Sequence, residues 1–208
     1  MSKGIKVFLG VVVVLIIFVI IIVTSVTRTY NLLVSLDENV NNSWAQVQNV
    51  LQRRMDLIPN LVETVKGYAI HERETLEAVI QARASATQMQ VNAGSLMDNP
   101  QQLSQFMNAQ NGLTSALGRL MVVIERYPDL KANQNFMRLQ DELAGTENRI
   151  TVERRRYNDA VRAFNQKIRT FPTVLFASML GFEKRIYFEA PPEAQTAPKV
   201  DFGGLRKE

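Results

Sequence analysis

The stretch LVSLDENVNNSWAQVQNVLQRRMDLIPNLVETVKGYAIHERETLEAVIQARA, residues 33–84, decides the fold because its apolar residues return in sevens. One row runs Leu33, Val40, Val47, Arg54, Leu61, Tyr68, Thr75 and Ala82. A second, four residues later, runs Asp37, Trp44, Leu51, Ile58, Val65, Glu72, Val79 and Ala86. Alternating steps of four and three put both rows on one side of an α-helix, the seam of a helical bundle. Asp37, Arg54, Glu72 and Thr75 break the apolar rule. Pro59 lies inside the run, but the period continues across it in phase, which predicts a kink or short break and not an end. The first long helix is predicted over about residues 30–93.

Further along, Asn92, Gly94, Asp98, Asn99 and Pro100 read as a turn, with Pro100 opening the next helix at its first position. That helix carries the seam Leu103, Phe106, Gln110, Leu113, Leu117, Leu120, Ile124, Tyr127 and ends at Tyr127-Pro128. Asn133 or a neighbour caps a third helix whose sevenfold row is Phe136, Leu143, Ile150, Tyr157, Phe164, Phe171, extended by Val161 and Ile168. Pro172 stops it, and a short apolar segment from Val174 to Leu180 closes at Gly181, a suitable C-cap. Beyond Phe182, Pro191, Pro192, Pro198 and the paired glycines 203 and 204 leave no helical period, so 182–208 reads as an extended, partly disordered arm.

Before the seam comes VFLGVVVVLIIFVIIIVTSV, residues 7–26, without a charge and bracketed by Lys6 and Arg28. At about 1.5 Å per residue, such a helix spans the roughly 30 Å hydrocarbon core of a bilayer. It is longer than the apolar core of a signal peptide and no A-x-A site follows it. Without cysteine, lipoprotein-type acylation is excluded, so the segment reads as an uncleaved anchor. The fold class is therefore all-α: an N-terminal transmembrane helix, then an antiparallel bundle of three long helices and one short one. Residues 1–28 form the anchor, 29–181 the bundle and 182–208 the arm.

Composition closes off several functions. Of 24 basic residues, Lys3 and Lys6 lie in the first 26 residues, so the remaining 22 face 20 acids with a net charge of +2. The soluble part is thus near neutral and lacks the clustered basic face of a nucleic-acid binder. Zero cysteines excludes disulfides and thiolate sites, and the single His71 excludes any site needing two imidazoles. His71-Glu72 begins like a zinc-binding HExxH, but the fifth position is Thr75. An all-carboxylate magnesium or calcium site is the one enzyme reading left, and the acids are scattered over solvated faces. No catalytic residue, metal ligand or cofactor is assigned.

Arg54 occupies a seam position, where an unpaired charge is costly to bury. Glu147, four residues after Leu143 in the third helix, falls on the matching row. Arg54 is expected either to meet Glu147 or Asp141 across an antiparallel helix pair and fix the register, or to extend its head to water. Arg149, Arg155, Arg156 and Arg162 form a stripe that reads as a solvated, charge-paired face, with anionic lipid headgroups or an acidic partner as the alternative. Trp44, Tyr68 and Tyr157 read as core packing. Asn31, Asn60, Asn133, Asn135, Asn148, Asn158, Gln52 and Gln140 read as capping or register amides, with a partner surface as the alternative.

Several blocks also carry a resemblance: YNLLVSLDENVNNSWAQVQNVLQRRMDLIPNLVETVKGYAIHE (30–72), YPDLKANQNFMRLQDELAGTENRI (127–150), RRYNDAVRAFNQKIRTFP (155–172) and APKVDF (197–202). In this order they closely resemble the LemA family of bacterial membrane proteins. The resemblance implies an N-terminal membrane anchor followed by an antiparallel helical bundle, and no defined activity. Relatives with lipoprotein-like signals would suit an exported bundle, and this chain departs from them in having no cysteine.

The expectation is a single-pass protein of the inner (cytoplasmic) membrane that acts as a self-assembling scaffold or adaptor without catalytic activity. Lys3, Lys6 and the terminal amine before the anchor, against Arg28 after it, favour an inside N-terminus and a bundle on the outer, periplasmic face. The expected partners are the lipid bilayer and further copies of the chain. Ile186, Tyr187, Phe188, Val200 and Phe202 would supply an arm exchanged between neighbours. The alternative is an accessory subunit of another membrane protein, such as a membrane protease.

Overall fold

The structure, a computed structural model, describes residues 3–91, 96–97 and 99–188. Helix α1, Lys3–Lys66, runs unbroken for 64 residues. Two environments are written along it. From Phe8 to Val23 no side chain is buried, and among the described residues this is the one helix long and apolar enough to cross a membrane. It is apolar on every face, as a helix surrounded by lipid must be. Burial begins at Leu33 and then follows the seam through Val40, Trp44, Val47, Leu51, Ile58, Leu61 and Val65. From there the helix is amphipathic, a stripe packed against neighbours.

Pro59 does not interrupt α1. Proline has no N–H to offer the carbonyl four residues earlier, here that of Met55. That carbonyl accepts a hydrogen bond from Arg83 Nε at 2.9 Å. A side chain of the next helix thus replaces the missing backbone donor.

The single helix predicted over 30–93 is instead two, and the break falls at 67–72. Helix α1 ends at Lys66 and α2 spans Arg73–Val91. The amides of Tyr68 and Ala69 both donate to Val65 O, at 3.0 and 2.9 Å, and that of Leu76 donates to Glu72 O as α2 begins. Gly67 contributes about 1 kcal/mol of helix-breaking preference, but the larger cause is burial. A straight helix to residue 93 would leave the seam beyond Val65 uncovered. Folding back buries Leu76, Val79 and Ala86 in one cluster with Leu113, Ala116 and Leu120. Tyr68 consequently lies in the turn, half-exposed, and is not a core residue.

The remaining helices are α3 (Pro100–Ile124), the single turn α4 (Pro128–Lys131) and α5 (Gln134–Arg169), followed by a 3-10 turn at Thr173–Leu175. Asn99 caps α3, its side chain accepting from Gln101 N and Gln102 N, with Pro100 in the first turn. Asn133 caps α5 by accepting from Asn135 N and Phe136 N. Helix α5 stops at Arg169 because Thr170 is already extended, the conformation the residues before Pro172 favour. Phe171, last of the sevenfold row, therefore leaves the core and is exposed.

Helix α1 packs on α5 and α2, and α2 packs on α3. Trp44 meets Phe106 of α3 and Tyr157 of α5. Chain direction thus alternates α1, α2, α3, α5 around an all-α four-helix bundle. Its core has two apolar halves. The one nearer the apolar end of α1 gathers Leu33 to Leu51, Leu103, Phe106 and Ile150 to Ile168. The far half gathers Met55 to Ala69, Leu113 to Ile124, Phe136 and Leu143. After the 3-10 turn, residues 182–188 run without regular secondary structure back along the bundle. Val200 and Phe202, and Asn92, Gly94 and Asp98 of the predicted turn, lie outside the described residues.

Candidate functional site

Between the two core halves lies a polar layer. Arg54 sits between Leu51 and Met55, Gln110 between Phe106 and Leu113, and Glu147 between Leu143 and Ile150, so each helix contributes where its apolar seam changes halves. Arg54 is only 2% exposed. Its Nη1 donates to Glu147 Oε2 at 2.9 Å and to Thr114 Oγ1 at 3.2 Å, and its Nη2 donates to Gln110 Oε1. Of the two acids weighed for Arg54, Glu147 is the one at ion-pair distance, and its side chain remains 47% exposed. Burial lowers the Arg54 pKa below the ordinary arginine value, while the charge and hydrogen bond of Glu147 oppose that shift. Arg154, one helical turn from Ile150, is lowered for the same first reason, and the like charge of Arg54 adds to it. The layer therefore holds two guanidinium groups against one carboxylate.

Arg154 links this layer to the arm: its guanidinium carbon lies 5.4 Å from the centre of the Phe188 ring. Phe188 is buried, stacked on Trp44 at 5.5 Å and edge-on to Tyr157 at 5.1 Å. The arm's backbone is held by amide side chains of α5. Asn165 donates through Nδ2 to Arg185 O at 2.8 Å and accepts from Arg185 N at 2.9 Å. Asn158 makes the same pair with Phe188, at 2.9 and 2.8 Å. Between them, Tyr157 OH donates to Ile186 O at 2.9 Å.

The spacings explain the fit. Seven residues of helix rise about 10 Å, and three residues of extended chain cover about the same. Asparagines seven apart on α5 thus meet arm residues three apart. Each amide offers the donor and acceptor that a neighbouring β-strand would offer. Arg185 adds a two-point contact to Asp37 of α1, Nε to Oδ1 at 3.0 Å and Nη2 to Oδ2 at 3.2 Å. Asp37, an exception in the seam, faces this arginine.

Of the arm residues singled out from the sequence, Phe188 is buried within its own chain, Ile186 is partly buried against the same core half, and Tyr187 is more exposed. His71 is exposed in the turn before α2. In the arginine stripe, Arg156 pairs with Glu153 at 2.8 Å and Arg162 with Asp159 at 3.3 Å, both one turn apart. Arg149 lines an open pocket of about 290 Å³ with Arg53, Arg138, Asp141 and Glu142. Arg53 and Glu142 approach to 3.6 Å there.

Removal of the amide clamp has a defined outcome. Asn165→Ala should remove the two hydrogen bonds that Asn165 makes to the backbone of Arg185, at a loss of about 1–3 kcal/mol. Hydrogen exchange at the Arg185 and Phe188 amides should accelerate in Asn165→Ala and again in Asn158→Ala/Asn165→Ala, with α5 unaffected. Unchanged protection of both amides would show that the aromatic packing alone holds the arm.

A model of the LemA family matches residues 43–202. This chain belongs to the LemA family. The match starts within the seam of α1 and takes in the polar layer, the amide clamp and the arm, and leaves out the apolar N-terminal half of α1. Among relatives of this LemA-family chain, magnetosome protein MamQ 2 of Paramagnetospirillum magneticum is 25% identical over 189 residues, covering 84% of this chain and 70% of its own length. Magnetosome protein MamQ of Magnetospirillum gryphiswaldense is similar to the same extent. Protein LemA of Metamycoplasma hominis is 28% identical over 160 residues, 77% of this chain and 68% of its own. None of these names denotes an enzyme. The chain is a membrane-associated helical protein of this family.

Proposed function

We propose that this chain is a single-pass scaffold of the inner membrane that assembles with further copies of itself and has no catalytic activity of its own. The observation that carries the reading is α1: one helix of 64 residues is bare and apolar at one end and the central strut of a bundle at the other. Anchor and bundle share this rod, so the bundle stands at a fixed height and orientation on the bilayer, a geometry suited to lateral association. Lys3 and Lys6 before the apolar run, against Arg28 after it, favour an N-terminus inside and a bundle on the periplasmic face.

Native mass spectrometry of the full-length chain released from detergent micelles tests the reading. A uniform assembly of many copies is the expected result. A monomer that copurifies with one other membrane protein would replace the scaffold by an accessory subunit. A monomer alone would end both.

A further inference from the structure

The segment TFPTVLFASMLGF, residues 170–182, carries no charge. Its large apolar side chains nevertheless face outward: Phe171 is 76% exposed, Leu175 64% and Met179 84%. They are held that way by a tight turn. Thr173 and Ala177 are buried, Ala177 N donates to Thr173 O at 2.9 Å, and Phe182 N donates to Ala177 O at 3.0 Å. An ordered loop with several outward apolar residues calls for a partner.

The height of the loop identifies that partner. The pairs Trp44–Tyr157 and Arg54–Glu147 are ten residues apart on both α1 and α5, so the two helices keep one register. In that register Arg169, the last residue of α5, is level with Leu32. The Phe182 ring lies 5.8 Å from that of Tyr30. Tyr30 is four residues beyond Val26, the end of the uncharged run, and so about 6 Å further along the axis. The headgroup zone on one side of a bilayer is about as deep, roughly 5–7 Å. At this level α1 itself shows exposed Tyr30, Leu32 and Val34, and Arg28, Arg169 and Lys184 are exposed nearby in the chain. Aromatic and basic side chains are the residues that settle at a membrane interface.

We propose that loop 170–182 inserts Phe171, Val174, Leu175 and Met179 into the headgroup boundary of the bilayer that α1 spans. The adjacent basic residues meet anionic lipid phosphates. The bundle then has a second foothold, which sets its tilt. The inference rests on reading α1 as the spanning helix, and the experiment separates the two.

The absence of cysteine makes any introduced cysteine a unique attachment point for a spin label. The full chain carrying Leu175→Cys, Met179→Cys, Ile70→Cys or Ile16→Cys is placed in vesicles of phosphatidylethanolamine and phosphatidylglycerol. Each label's exposure to oxygen, which concentrates in lipid, is compared with its exposure to a water-soluble nickel complex. The oxygen-to-nickel ratio should be several-fold higher at 175 and 179 than at 70, which sits at the far end of the bundle. Ratios at 175 and 179 equal to that at 70, with 16 in hydrocarbon, would overturn the loop proposal alone. Labels shielded from both reagents would also overturn it, because protein then covers the loop, with spin–spin broadening if the cover is a second copy. A water-exposed label at 16 would overturn the anchor reading and the proposal with it.

Discussion

Replacing Trp44 by alanine should destabilise the bundle by about 3–5 kcal/mol, the range for truncating a large buried aromatic residue. Trp44 is almost fully buried, and its ring is shared among three other elements: Phe106 of α3 at 5.8 Å, Tyr157 of α5 at 5.6 Å and Phe188 of the arm at 5.5 Å. The void cannot close by movement of one helix, because each neighbour is held elsewhere. Tyr157 is fixed by its hydrogen bond to Ile186 O, and Phe188 by Asn158. Chemical denaturation of the full chain in detergent, followed by helix signal, measures the loss as a lower midpoint. Trp44→Phe, which keeps an aromatic ring, should recover a large part of it. A midpoint shift below about 1 kcal/mol for Trp44→Ala would mean that the site collapses freely and that the arm is not bound through this ring.

The same variant should release the arm before the bundle melts. Phe188 loses its stacking partner while α1 and α5 remain paired below it, so exchange at the Phe188 amide should rise under conditions where the α1 amides are still protected. This ordering follows from local stability, which is lowest in segments with few buried contacts.

The sequence and the fold agree where a periodic pattern meets one environment at a time. The uncharged run and the seam after Leu33 are different patterns, and both are visible in order along α1. Asn133 and Pro100 are local signals and sit at the helix starts their chemistry favours. The break at 67–72 was hidden because six residues of turn are almost one heptad, so the apolar rows stay in phase across a chain reversal. Phe171 continues the sevenfold count past the point where Pro172 forbids a helix, so its exposure is hidden for a similar reason. At the polar layer, a charge in a seam is legible as an anomaly, so Arg54 stands out, but the seam leaves Glu147, Asp141 and solvent as its partners and only the structure selects Glu147. Gln110, as a single amide in a seam, gives a weaker signal, and Arg83 serving the carbonyl freed by Pro59 gives none. The amide clamp is legible only in part: Asn158 and Asn165 are seven apart, but their partner is an arm with no period of its own.

In the polar layer, Glu147→Leu and Arg54→Met should differ sharply although they break the same ion pair. Glu147→Leu strands Arg54, nearly fully buried and facing the like charge of Arg154, and should destabilise by about 3 kcal/mol. Arg54→Met strands Glu147, which is half in water already, and should change stability by less than about 1 kcal/mol in either direction. The double variant should lie closer to Arg54→Met than to Glu147→Leu, since Arg54 is gone and only the partly buried Arg154 is left without Glu147. Stability is therefore not where the function of the pair would show. A polar pair between apolar seams penalises alternative registers, because a slip of one heptad of α1 against α5 brings Arg54 level with Gln140 or Arg154 in place of Glu147. Spin labels at Asn49→Cys on α1 and Thr151→Cys on α5, both exposed, report the register as a distance. With Arg54 present one distance is expected. In Arg54→Met a second population should appear, displaced by a slip of one heptad, about 10 Å along the axis. A single unchanged distance in Arg54→Met, with the melting temperature unchanged or raised and assembly intact, would remove the register role. The layer would then be a tolerated charge and not a device that selects one alignment.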